Sequence, residues 1–107
     1  MTGIDDQLAE FIAERLRVVG QPLRVRLIMC LRDGNASVQE LTASLGAVQQ
    51  NVSQHLAILH KAGVVNRHKV GTRVYYELQD TTAVAMLDAA RAGLAQRSRE
   101  LTDLLQD

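Results

Sequence analysis

The chain has 107 residues, enough for one domain and too few for two. Apolar residues at 47% and charged residues at 22% exclude a disordered chain, and with aromatics at 3% and no Trp the core must come from Leu, Val, Ile and Ala. Net charge is zero but unevenly spread: from Arg15 to Arg73 nine basic residues face only Asp33 and Glu40, giving +7, and the ends carry −7, which suits a basic middle that meets phosphates.

Taken in chain order, residues 5 to 19 set Leu8, Phe11, Ile12, Leu16 and Val19 three and four apart with Asp6, Glu10, Glu14 and Arg17 between them, an amphipathic helix. It ends at Gly20. Pro22 opens a second helix, where its missing N–H costs nothing, and Leu23, Leu27, Ile28 and Leu31 form its apolar stripe. Asp33-Gly34-Asn35 stops it. Ser37-Val38-Gln39-Glu40 has the form of a capping box ahead of a short helix, about 38 to 45, that buries Leu41 and Leu45. Gly46 stands where a left-handed residue turns the chain. A fourth, polar-faced helix follows from about 49 to 62 with Val52, Leu56 and Leu59 inward, and the pair makes a helix-turn-helix over 37–62.

After Ala62-Gly63 the period changes. Val64 to Val70, a Gly71-Thr72 turn and Arg73 to Leu78 read as a hairpin over 64–79, the wing of a winged helix. From Thr82 to Leu105 the chain is helical again, with Leu87, Ala90, Leu94, Arg97, Leu101 and Leu104 spaced like a coiled-coil seam interrupted once. The fold class expected is mainly α with a β-hairpin wing, a single winged helix-turn-helix domain over 1–107. Residues 1–20 and 81–105 are its dimerisation helices.

The helix from 49 to 62 is informative for what it leaves outside. Gln49, Gln50, Asn51, Ser53, Gln54 and His55 form an amide-rich set able to read base edges, since Gln and Asn donate and accept together against adenine. Arg67, Lys69 and Arg73 surround the wing turn and suit the flanking DNA backbone, giving position and salt dependence rather than sequence reading. Either feature alone is common on solvated surfaces. Their succession points to DNA.

The order and spacing of Pro22-Leu23-Arg24-Val25-Arg26-Leu27-Ile28, Glu40-Leu41 with Leu45-Gly46, Asn51-Val52-Ser53-Gln54-His55-Leu56, Leu59 with Ala62-Gly63-Val64-Val65, and Gly71 with Val74-Tyr75-Tyr76 and Leu78 resembles the ArsR/SmtB regulators, from about Leu16 to Leu87. Ser53-Gln54-His55-Leu56 with the Gly-Val-Val turn into the wing is the most specific part. The resemblance implies a bacterial winged-helix homodimer of a family whose members mostly repress promoters and release DNA when an inducer binds; repression or activation is left open for this chain. It also implies that Gln49, Gln50, Ser53, Gln54 and His55 face double-stranded operator DNA. One departure is Val48, where the family carries a Ser or Thr N-cap whose loss costs about 1 kcal/mol of helix stability.

The family's metal sites are not matched. Its Cys-Val-Cys-Asp-Leu run on the third helix corresponds to Ser37-Val38-Gln39-Glu40-Leu41, without either thiolate. On the last helix Asp80 survives, but Thr82 takes the first His position and Gly93 and Gln96 fall near the second pair. Of the three imidazoles, His55 and His60 sit about 140° apart on one helix and cannot share a metal, while His60 and His68 could approach across the helix–wing junction. Asp5, Asp6 and Glu10 could join a His in a nickel or zinc site of non-standard kind, so a metal-responsive regulator stays open as an alternative with its ligands unknown. Cys30, beside Leu27 and Leu31, reads as a buried, inert thiol, and one Cys cannot close a disulfide within the chain.

No enzyme is expected. Ser53 and His55, two apart on a helix, point about 200° from each other, and no phosphate cradle or nucleophile elbow is present. A protein–protein interaction module is a further alternative, but it calls for aromatic or Met anchors on the face of residues 49 to 55, which carries amides instead. The acidic N-terminal stretch is not a signal peptide and no run reaches the roughly 18 apolar residues of a membrane span, so a cytoplasmic location without membrane contact is expected. In the resulting picture the first and last helices pair about a two-fold axis, burying Leu8, Ile12, Leu87, Leu94 and Leu101, and set two recognition helices roughly 34 Å apart on an imperfect palindrome. The effector or co-regulator, if any, is unassigned.

Overall fold

A computed structural model describes residues 3–105; Met1, Thr2, Gln106 and Asp107, which the single-domain expectation also spans, lie outside the described residues. Asp5 starts the first helix, α1 (Asp6–Val19), by accepting the Leu8 amide at 2.7 Å on its carboxylate. Of the apolar stripe on α1 only Val19 is buried; Leu8, Phe11, Ile12 and Leu16 remain uncovered. The next helix, α2 (Pro22–Leu31), is capped by the Gln21 side chain on the Arg24 amide and buries Leu27, Ile28 and Leu31.

Ala36–Ser37 forms a two-residue strand, β1, that the sequence reading did not anticipate. It pairs antiparallel with Tyr75 and Tyr76 of the wing. Ser37 then caps α3 (Val38–Leu45): its hydroxyl accepts the Glu40 amide at 3.1 Å while the Glu40 carboxylate accepts the Ser37 amide at 2.9 Å. The expected capping box is present, and it also serves the sheet, because Ser37 is fully buried. Gly46, at φ 60, makes the left-handed turn that an L side chain would strain. The second helix of the helix-turn-helix, α4 (Gln49–Lys61), buries Val52, Leu56 and Leu59 against α2 and α3.

The chain leaves α4 through Ala62 and Gly63 into β2 (Val65–Val70) and β3 (Arg73–Leu78). Gly71 at φ 65 closes the hairpin, and β3 lies between β1 and β2 in a three-stranded antiparallel sheet. The last helix, α5 (Thr81–Leu105), is held at its start by Asp80 and contributes Ala83 to the core. From Ala89 to Leu104 every residue of α5 is exposed. A helix of 25 residues is about 37 Å long, so most of α5 projects from the body. The radius of gyration is 16.8 Å, against about 13 Å for a compact domain of this length. Among the described residues no helix is long and apolar enough to cross a membrane.

Candidate nucleic-acid interface

The recognition surface follows from the helical repeat of α4. With Val52, Leu56 and Leu59 inward, Gln50 and Gln54 lie four apart on the opposite stripe, continued by Ala57 and Lys61. Asn51 and Ser53 flank that stripe, and Gln49 sits toward the buried edge; all five expected polar readers are exposed. The bed beneath them is the core shared by α2, α3 and the sheet.

His55 is different. It is half-buried at the margin of α4, and its Nδ1 lies 2.9 Å from Nη1 of Arg24 on α2. An arginine only donates, so Nδ1 accepts and the ring proton resides on Nε2, leaving one N–H donor for an outside partner. Burial, and then the Arg24 charge, hold the His55 pKa below its ordinary value of 6.5. The same guanidinium donates from Nε to the Val18 carbonyl at 2.6 Å and from Nη2 to the Arg17 carbonyl at 3.4 Å. Arg24 therefore ties the C-terminal carbonyls of α1 to the recognition helix. Arg24 lies outside the apolar stripe of α2 formed by Leu23, Leu27, Ile28 and Leu31, and only the meeting of α1, α2 and α4 gives it this role.

Other members of the basic middle are also structural. Arg26 donates to the Leu45 carbonyl at 3.0 Å, joining α2 to the end of α3, and Arg32 pairs with Asp88 of α5 at 3.0 Å. Of these, only Arg32 is paired with an acid; Arg24 and Arg26 keep their charge but are held on backbone carbonyls.

Strand register divides the three wing cations. Arg67 is opposite Tyr76 and Lys69 opposite Val74, so both lie on the sheet face that, nearer the body, buries Val65 and Tyr76. Arg73 lies on the other face with Tyr75, and its charge helps to lower the Glu40 pKa, after the larger effects of the Ser37 amide and hydroxyl. On that outer face the rings of His68 and Tyr75 stack with centroids 6.0 Å apart. All three cations are exposed, but they do not form one patch.

The positions corresponding to the family's metal sites are occupied by local structure. Ser37 and Glu40 are spent on each other in the α3 cap. Asp80 accepts both the amide and the hydroxyl of Thr82 and pairs with Arg15 at 3.7 Å; the Thr82 hydroxyl is the main reason its pKa is lowered. These residues do not fit a metal at either place. Among the described residues no group of three or more His, Cys, Asp or Glu comes together within the chain. Cys30 is half-buried rather than buried and packs against the core edge.

Of the residues expected to pair two copies, Leu8, Ile12, Leu94 and Leu101 are exposed, whereas Leu87 is not. On α1 Phe11 is 64% exposed, with Leu8 and Ile12 beside it; on α5 Leu94 is 70% exposed and Leu101 lies further out. Leu87 is half-buried and packed against the monomer core. With Val25, Met29, Ala90 and Leu94 it also lines an open groove of about 490 Å³ between α2 and α5.

A helix-turn-helix carrying an amide-lined second helix, followed by a basic hairpin, defines a winged-helix DNA-binding protein. Residues 21–67 match the profile of the bacterial regulatory protein arsR family. The chain is 39% identical over 89 residues to the HTH-type transcriptional repressor SmtB of Mycobacterium tuberculosis, an alignment covering 81% of this chain and 66% of that repressor. It thus spans just under two thirds of that relative. It is 32% identical over 87 residues to the HTH-type transcriptional regulator NmtR of the same organism, covering 81% of this chain and 72% of the regulator. The crystal structure of Rv0081 from M. tuberculosis superposes with a TM-score of 0.80 at 28% identity, covering 92% of this chain and 99% of the other. The chain belongs to the ArsR family of helix-turn-helix transcriptional regulators.

Proposed function

We propose that two copies of this chain pair through α1 and α5 and bind double-stranded operator DNA as a homodimer, reading an imperfect palindrome with Gln49, Gln50, Asn51, Ser53, Gln54 and the Nε2–H of His55. The observation that carries this reading is the exposed polar face of α4 on a fully buried apolar seam, which holds the amides rigidly outward. Arg67 and Lys69 grip flanking phosphates. Arg73, on the opposite face of the hairpin, contributes less to that grip. The work is binding rather than turnover of a substrate. A short domain whose first and last helices leave Leu8, Phe11, Ile12 and Leu94 uncovered gains from a partner, and a two-fold axis through α1 and α5 spaces the recognition helices by roughly one turn of DNA.

The signal in this reading acts on the angle between the two DNA-reading heads. A nickel or zinc signal would need a site of non-standard kind assembled across two protomers, because Asp80, Ser37 and Glu40 are engaged within one. The deciding experiment is fluorescence anisotropy on the DNA upstream of the protein's own gene, at fixed salt, in chelator and then with added nickel or zinc, alongside sedimentation of the free protein. Tight, sequence-dependent binding by a dimer in chelator supports the regulator without a metal signal. A tenfold or larger shift with metal supports the metal-responsive form. Binding that ignores sequence overturns the operator reading.

A further inference from the structure

Val48 occupies the N-cap of α4 and is 64% exposed. Its side chain makes no capping hydrogen bond, whereas the helices beginning after Asp5, Gln21 and Ser37 are each closed by a side-chain acceptor. A valine is among the poorest residues for this position, because it offers no acceptor to the first-turn amides. It gains nothing from the core in exchange, since its neighbour Ala47 rather than Val48 packs against the buried cluster. A local rule broken without an internal benefit, at the leading end of the recognition helix, calls for a benefit outside the monomer.

The residue stands directly before Gln49 and Gln50, at the end of the helix that enters a major groove first. In that groove one apolar feature distinguishes bases, the C5-methyl group of thymine. We infer that Val48 is a specificity-determining residue that packs on a thymine methyl group in each half-site, a role that rests on the DNA-binding reading above.

The test replaces thymine by deoxyuridine, which differs by that methyl group alone. Duplexes selected by the wild-type protein from a random-sequence library are resynthesised with single thymine-to-deoxyuridine changes, and affinities are measured for wild type, Val48→Ala and Val48→Ser. Wild type should lose about fourfold in affinity at one position of each half-site, the value for one methyl group returned to water. Val48→Ala and Val48→Ser should bind the thymine and deoxyuridine duplexes alike, and Val48→Ser should melt at a higher temperature because it restores the cap. Val48→Ser keeps the test valid should Val48→Ala fold poorly. Wild type indifferent to every change, or a Val48 variant that keeps the discrimination, overturns the assignment while leaving DNA binding intact. Failure to select any duplex removes the DNA-binding reading and the assignment together.

Discussion

Nη1 of Arg24 and Nδ1 of His55 lie 2.9 Å apart, joining α2 to the recognition helix across 31 residues of sequence. Because the arginine also holds the carbonyls of Val18 and Arg17, the end of α1 and the His55 margin of α4 share one side chain. One guanidinium therefore contacts both the C-terminal carbonyls of α1 and the His55 ring. The contact requires a neutral imidazole, since a protonated ring has no acceptor to offer.

Arg24→Met should destabilise the fold by about 2 kcal/mol, the range for part-buried hydrogen bonds from a charged donor. The His55 pKa should rise in that variant, because one of the two causes of its depression is removed while burial persists. A lowered folded-state value means that the His55 contribution to stability is present above 6.5 and lost as pH falls through the depressed value. Proton NMR titration of the ring checks both points; an unchanged pKa in Arg24→Met would show that the contact does not persist in solution.

Ser37→Ala should cost about 1 kcal/mol in urea unfolding, the usual value for a lost N-cap. Glu40 and Asp80 both have lowered pKa values, so their stabilisation is present above 4.5 and 3.8 respectively and lost as pH falls through the folded-state values. Glu40→Gln should flatten the acid limb of the stability curve. A limb of unchanged steepness would remove Glu40 from the acid-sensitive groups.

On DNA, Gln54→Ala should relax preference at one position of each half-site by about 1–3 kcal/mol, read by competition with single-base variants. Lys69→Ala should weaken all duplexes alike and reduce the salt slope by about one unit. Arg73→Ala should change the slope less, because the hairpin register puts it on the opposite face. Equal slopes for Lys69→Ala and Arg73→Ala would mean that both faces of the wing meet phosphates.

Leu94→Glu should convert a dimer to a monomer of unaltered fold, because Leu94 is 70% exposed in the single chain. Leu87→Ala should instead lower monomer stability by about 2 kcal/mol, at the low end for a core leucine because the side chain is only half-buried. Sedimentation with thermal melting separates the two outcomes. A dimer that survives Leu94→Glu places the seam elsewhere.

Much of this protein was decided within short stretches of sequence. The Ser37–Glu40 box, the Pro22 start, the left-handed Gly46 and Gly71, and the inward spacing of Val52, Leu56 and Leu59 all act over a few residues, and each has one favourable local solution. The amide face of α4 followed automatically, because fixing the buried seam of a helix fixes the opposite stripe. What only the tertiary structure decided involves residues distant in the chain. The β1 strand exists because Tyr75 and Tyr76 supply partners some forty residues away, too short a segment to carry a periodic signal of its own. Arg24, Arg26 and Arg32 carry the same charge in the sequence as Lys69, yet the helix arrangement engages them with Val18, Leu45 and Asp88, and the wing register separates Arg73 from Arg67. Charge and periodicity are additive along a chain, but the partner that a long side chain finds depends on where the other helices stop.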